Sequence, residues 1–351
     1  MRIDTTIGAL DDAAARVRAL EHLGFDGIWA GEMNGDPFLS LAVAAQCSEH
    51  IGLGTSVAVA LARSPMTVAY AADDLQRFSG GRLRLGLGSQ VRAHIERRFA
   101  MPADRPAARM REYVLALRAV WAHWHEGAEL AFEGEFTRHT LMPRDFVPPA
   151  HEFGPPPILL AGVGPAMTRV AAEVADGFIC HGFTTARWIR ERTLPALGAA
   201  AKRDDFEVVA TPFVVTGTDE QIERGVATLR RRLAFYASTP AYRPLFDLHG
   251  WGEMNAELTV LSKAGRWDRM AELITDAMVD AFAVVAATHE LPQRLADRFG
   301  GLLTRLSFAT PRDMPDDEMA DLIRRIRQAC HDVRLSPGEA TAGRRDARYR
   351  C

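Results

Sequence analysis

The chain has 351 residues, 48% of them hydrophobic and 25% charged, with a formal net charge of -3. That balance belongs to a soluble globular enzyme and gives no global pull toward nucleic acid or a membrane surface. No apolar run approaches the ~18 residues of a membrane span, and the opening MRIDTTIGALDD lacks the apolar centre of a signal peptide, so a cytoplasmic protein is expected. Cys47, Cys180, Cys330 and Cys351 form no CxxC and read as reduced thiols. There is no HExxH, the nearest miss being His289-Glu290, and no zinc site is expected.

Strand-like and helix-like segments alternate almost throughout. RIDTTI (2–7) precedes a helix over 11–23, DGIWAGE (26–32) one near 37–48, and IGLGTSVAV (51–59) one over 65–78. LRLGLG (83–88) leads to a longer helix. Its Met110, Tyr113, Val114, Leu117, Val120, Trp121 and Trp124 recur at i, i+3, i+4 and i+7, one buried face. Residues 130–157 are Pro-rich with mixed charge and read as an excursion. PILLAG and DGFICHG are the fifth and sixth strands, and FEVVATPFVVTG (206–217) a seventh, long enough to extend beyond the wall. Another helix and a second excursion, about 239–257, follow. LTRLSFAT (303–310) is the eighth strand, and a last helix carries Met319, Leu322, Ile323, Ile326 and Cys330 on one face. Residues 1–335 read as one domain and the Arg-rich 336–351 as a disordered tail.

Several strands are nearly continuous apolar runs, as parallel strands buried on both faces require. Eight of them alternating with helices predict an α/β fold, a (β/α)8 barrel with insertions after strands 4 and 7; an open doubly wound sheet is the alternative. In a barrel the reactive groups stand where strands end and βα loops begin. There stand Glu32 after strand 2, Ser56 and Val57 after strand 3, and Ser89, Gln90, Arg92 and His94 after strand 4. Gly162, Val163 and Gly164 follow strand 5, and His181 ends strand 6. No Ser-His-Asp order and no close carboxylate pair is visible. Glycines, hydroxyls and isolated polar groups suit a site that orients a cofactor.

Two glycine turns, GLGSQV (86–91) and GVGPAM (162–167), each pass from strand to helix. Neither has the third glycine of the dinucleotide fingerprint, since Val91 and Met167 stand in that slot. A phosphate remains the natural guest. The amides after Gly162 form one wall of an anion cradle, Ser89 and the amides after Gly88 the other, and Arg92 is a countercharge. Pro165 fits the first helical position, where its missing N–H costs nothing.

In order along the chain, LGFDGIWAGE, IGLGTSVAV, DDLQRFSGGRLRLGLGSQ, PPPILLAGVGPAMTRVAAEVADGF and RLSFAT resemble the motifs of the luciferase-like monooxygenase superfamily. The resemblance is to its branch dependent on the deazaflavin coenzyme F420 and covers about residues 2–330. It implies a TIM barrel with insertions, an F420-dependent oxidoreductase with a small organic substrate, and a homodimer. It further implies a non-prolyl cis peptide behind the tricyclic ring, here between Ser56 and Val57, and an acidic residue facing the ring, here Glu32, a candidate catalytic contact to ring or substrate and a general acid/base if burial raises its pKa. The phosphate loop falls on Gly162 to Gly164 and the facing loop on Ser89 and Gln90. His94 is a candidate contact to the cofactor chain, and His181 to the substrate. The sequence departs from the superfamily's sugar-phosphate dehydrogenases. Met33 stands where they carry a histidine that takes the substrate proton, and Val91 and His94 where they carry a glutamate and an asparagine. Substrate and proton donor are thus left open. An FMN-dependent monooxygenase using oxygen is the alternative, and a barrel that binds a flavin-like ligand without turnover is a third reading. The acidic tail of F420 favours a basic rim, with Arg63 and Arg92 as candidates, whereas Arg97-Arg98 and Arg230-Arg231-Arg232 read as solvated helix faces. The substrate is expected over the exposed ring face, roofed by both excursions.

Overall fold

In the computed structural model, which describes residues 1–8, 10–309 and 314–335, eight parallel strands close on themselves. They are β1 (Arg2–Thr6), β2 (Gly27–Ala30), β3 (Gly52–Thr55), β4 (Leu83–Gly88), β5 (Ile158–Gly162), β6 (Gly177–Cys180), β7 (Glu207–Ala210) and β8 (Arg305–Ser307). β1 pairs with both β2 and β8, and β3 pairs with β4 through Leu53 and Leu83, so the ring has no edge. That closure excludes the open sheet, and the expected tail 336–351 lies outside the described residues. Helices pack around the ring. Pro65–Phe78 begins on a Ser64 cap that accepts from the Thr67 amide, with proline at the first position. Pro106–Glu126 buries the seven residues named from its periodicity.

The interior of the ring is polar toward its N-terminal end. Asp4 and Arg305 are 0% and 1% exposed. Arg305 donates twice to Asp4, Nε to Oδ2 at 2.7 Å and Nη2 to Oδ1 at 2.8 Å, and Trp29 Nε1 donates to Oδ2 at 2.9 Å. Glu207 meets Arg305 at 3.4 Å and Arg84 at 2.8 Å. Burial works against the Arg305 charge, and the Asp4 and Glu207 carboxylates outweigh it. Gly27 makes the room, since a Cβ there would stand 2.6 Å from Arg305 Nη2. Above this network Trp29, Leu159, Ile179 and Val209 form an apolar plug, and a Cβ on Gly54 would run into the Trp29 ring.

Two expected strands are broken. IGLGTSVAV divides into β3 and a short strand Ala58–Val59. FEVVATPFVVTG divides at Thr211-Pro212, where proline supplies no N–H for the ladder. Its second half, Phe213–Gly217, leaves the barrel and pairs in parallel with Ala283–Ala287, a strand the sequence reading did not foresee. Helices fill the chain between them, so the second excursion is largely helical, with Arg243–Leu248 and Gly252–Lys263 in place of irregular chain. This insert has its own core, including Phe213, Leu233, Phe246, Met270 and Phe282 together with Phe183 after β6.

The first excursion does not roof the strand ends. Glu112 on Pro106–Glu126 accepts from the amides of Glu135, Phe136 and Thr137, and Tyr70 on Pro65–Phe78 donates to the Phe146 carbonyl. Its final stretch reaches the turn before β4, where a Cβ on Gly81 would stand 3.0 Å from Phe153. These contacts lay the segment along the outside of the helical ring and carry it to the N-terminal end of the barrel.

Removing one member of a buried ion pair leaves an uncompensated charge. Arg305→Met is expected to lower stability by about 3–5 kcal/mol in denaturant unfolding, and adding Asp4→Leu to recover much of that loss. A single-variant loss no larger than a surface substitution would show that the pair does not hold the ring.

Candidate functional site

Glu32, Ser56, Val57, Ser89, Gln90, Gly162, Val163, Gly164 and His181 lie at or just beyond the C-terminal ends of β2 to β6, with Arg92 and His94 on the short helix after β4. The peptide between Ser56 and Val57 is cis. Glu32 brackets this bulge: its amide donates to the Val57 carbonyl at 3.3 Å, and its Oε2 accepts from the Val59 amide at 2.7 Å. The same oxygen takes Arg63 Nη1 at 2.6 Å, and Arg63 Nη2 reaches Asp36 at 2.9 Å. Glu32 is therefore a largely buried, paired carboxylate. Burial works against the Arg63 charge, but the hydrogen bonds it donates to Glu32 and Asp36 outweigh it.

The glycine turns divide by what each glycine accommodates. A Cβ on Gly86 would run into the Thr55 carbonyl, and one on Gly88 would stand 2.6 Å from Val57 Cγ2, so both glycines admit the bulge. A Cβ on Gly162 would stand 2.9 Å from Met167 and 3.1 Å from Phe178, which makes it a packing glycine. Gly164 differs, because nothing lies within 4 Å of a Cβ placed there. It caps the helix Pro165–Val174 without a side chain, so the Ala166 and Met167 amides have neither an intrahelical acceptor nor a capping oxygen. β4 and β5 are neighbours through Leu87 and Leu160, which sets Ser89 and Gln90 on the adjacent strand end. Gln90 takes a left-handed φ of 59°, and its Oε1 accepts from the Val91 amide at 2.9 Å. Arg92 and His94 are exposed on the short helix that follows. Arg92 pairs with Glu96 at 2.6 Å, a surface contact worth at most ~1 kcal/mol and readily exchanged for a ligand anion. Val163 and Pro165 line a cavity of about 500 Å³ together with Trp188, Arg192, Pro244 and Asp247. A larger cavity of about 720 Å³ lies at the ends of the accessory strands, lined by Thr216, Thr288 and His289 among others and by none of the strand-end candidates.

His181 lies where the barrel meets the insert. The Phe183 amide donates to its Nδ1 at 3.0 Å, which puts the proton of the neutral ring on Nε2. The Tyr242 hydroxyl lies 3.1 Å from Nδ1 and 3.3 Å from Nε2, and the Tyr236 ring stands edge-on with centroids 5.5 Å apart. Burial, with the Arg232 charge adding to it, holds the His181 pKa down at about 4, and burial pushes the Tyr242 hydroxyl up. Tyr242 and Tyr236 carry no signal in the sequence because they sit in the insert, far from any strand end, and Arg232, expected on a solvated helix face, lies over the Phe213 ring and acts on His181. Two expected solvated arginines are committed instead: Arg98 donates to the Met33 carbonyl at 2.9 Å, and Arg230 binds the Ile274 carbonyl and Asp276.

The sequence profile of the family described as luciferase-like monooxygenase matches residues 2–305. A protein of Mycobacterium tuberculosis described as uncharacterized is 45% identical over 313 residues, 87% of this chain and 92% of its own length. A putative coenzyme F420-dependent oxidoreductase of the same species is 31% identical over 303 residues, 81% of this chain and 86% of its own. The solved structure of the coenzyme F420-dependent tetrahydromethanopterin reductase from Methanopyrus kandleri shares the fold, with a TM-score of 0.75 at 17% identity, covering 93% of this chain and 98% of that one.

Because folding lowers the His181 pKa from 6.5 to about 4, the unfolded chain takes up this proton first as pH falls. Its contribution is complete above about 6.5 and is lost progressively toward 4. His181→Gln is expected to lose less stability than the wild type between those two pH values in parallel denaturant melts. Equal losses would show that His181 is not held neutral by burial.

Proposed function

The chain belongs to the luciferase-like monooxygenase family, and from that premise we propose that it is an oxidoreductase moving a hydride between coenzyme F420 and an organic substrate. The observation that carries this reading is the Gly164-capped helix start, with two unpartnered amides and open space in front of it, beside the Ser89-Gln90 turn. The relative at 31% identity supports the choice of cofactor.

The residues fit such a group. The Ala166 and Met167 amides and the Ser89 hydroxyl would take the phosphate, with Arg92 free to leave Glu96 for it. Val163 and Gly164 shape that wall, and His94 stands on the exposed helix where the rest of the cofactor chain would pass. Ser56 and Val57 would back the ring, and Glu32 holds that bulge by gripping both the Val57 carbonyl and the Val59 amide. When bound, the deazaflavin supplies hydride transfer at its C5, and the protein supplies binding, orientation and exclusion of water. At the end of β6, neutral His181 and the un-ionised Tyr242 hydroxyl offer hydrogen bonds to a substrate oxygen. Glu32 acts through Arg63 and the bulge, and Arg63 reaches the rim already committed to Glu32 and Asp36.

Titration of the protein with oxidised F420 and, separately, with FMN, followed by tryptophan fluorescence, tests the cofactor. The expected result is F420 binding with a dissociation constant of roughly 1 µM, about 8 kcal/mol, and much weaker FMN binding. FMN binding alone would replace the reading with an oxygen-using monooxygenase, and binding of neither would overturn the cradle.

Gly164→Asp tests the anion site directly. An aspartate there caps the helix amides, so stability is kept or raised, while its charge occupies the phosphate position. Cofactor affinity is expected to fall at least about tenfold, ~1.4 kcal/mol, with an unchanged or higher melting temperature. Unchanged affinity would move the phosphate elsewhere.

A further inference from the structure

Away from the strand-end face, one cluster buries a carboxylate against two histidines. Asp73, on the helix Pro65–Phe78, is 1% exposed. Its Oδ1 lies 2.7 Å from His125 Nε2 and 3.2 Å from His151 Nε2. His125 belongs to the last turn of Pro106–Glu126, and His151 to the segment that leads into β5. The imidazole side chains are 12% and 4% exposed, and the rings meet edge-on with centroids 4.8 Å apart. Asp73 Oδ2 and His151 Nδ1 are buried without any hydrogen-bond partner. Among the described residues, the ion pairs of Asp73 are with these two histidines alone.

A carboxylate taken out of water needs a paired cation or a metal. Two imidazoles and a carboxylate suit a divalent transition ion of the zinc class, for which carboxylate-only sites are poor hosts. We propose that Asp73, His125 and His151 bind one such ion and that it staples the chain entering β5 to two helices of the barrel wall. One donor atom from each residue already lies within 4.8 Å of the others. Zinc bonds of ~2.0–2.1 Å in tetrahedral array set donors about 3.3 Å apart. The 3.2 Å separation of His151 and Asp73 meets that spacing, the 2.7 Å contact opens slightly, and the two imidazoles draw together. A water completes the four-coordinate set, and Asp73 Oδ2, which the protein leaves unused, is placed to accept its hydrogen bond. An imidazole that binds the ion through Nε2 carries its one proton on Nδ1, and protons compete with the ion for the same nitrogens, so binding weakens as the pH falls. The site is structural: it joins three segments of the wall and lies apart from the residues of the strand-end face.

The full chain, freed of metal with a chelator and then dialysed against Zn²⁺, provides the test, because the readout is metal content and melting temperature and not redox activity. One equivalent of Zn²⁺ per chain is expected, with a raised melting temperature. His151→Gln and His125→Gln are each expected to weaken uptake at least about tenfold, and His125, the more exposed of the pair, gives the variant least prone to misfolding. Failure of the wild type to take up a stoichiometric ion would overturn the proposal and leave an Asp–His ion pair in its place. Uptake unchanged in both variants would overturn it equally.

Discussion

The bidentate contact between Asp4 and Arg305 is the constraint on which the remaining architecture rests. It joins the first strand of the ring to the last, across 301 positions of sequence. Two charges so deeply buried are tolerable only if each is matched, and the site matches them: Trp29 adds a third donor to Asp4, and Glu207 adds a second acceptor for Arg305. The price in space is met by Gly27, whose missing side chain is where the guanidinium lies. Once β1 and β8 are tied, the strand order leaves every C-terminal end on one rim.

What stands on that rim is shaped by the same economy of side chains. Trp29 links the two layers, since its indole N–H faces the ion pair and its ring belongs to the apolar plug above. Gly86 and Gly88 let the Thr55 carbonyl and the Val57 side chain come close, so the bulge after β3 is seated by residues of β4. Glu32, from β2, grips the same bulge from its other side. Three consecutive strands thus contribute to one feature. The next strand contributes a helix start with nothing in front of it, and the concave rim between them is the proposed resting place of a flat, phosphorylated cofactor.

The alternation of apolar runs with helical periodicity was enough to read the barrel, because strand and helix patterns repeat locally. The breaks were less visible. Pro212 did announce the end of β7, but an apolar run on either side of it looked like one long strand. Ala283–Ala287 is five small apolar residues directly after a helix, a pattern that periodicity cannot assign. At the site, the strand-end residues were legible because the barrel fixes where they must stand, and the motifs together resembled one family. Their partners were not. Arg63, Tyr242 and Arg232 meet Glu32 and His181 only through folding, and of the four turn glycines the sequence could not tell that Gly164 alone faces open space. Asp73, His125 and His151 show the same limit. With Asp73 lying 52 and 78 positions from the two histidines, no spacing motif exists to find.

The insert between β7 and β8 brings its own parallel strand pair and its own packed interior, yet it delivers Tyr242 and Tyr236 onto His181. The wall proposed to meet the substrate is therefore held largely by a module with a packed core of its own. Mutations that reshape its inner aromatic surface need not disturb the Asp4–Arg305 tie or the seating of Val57. On the proposed reading, the two halves of the work are decoupled in evolutionary terms: the insert can drift toward new substrates while the strand-end rim keeps its geometry.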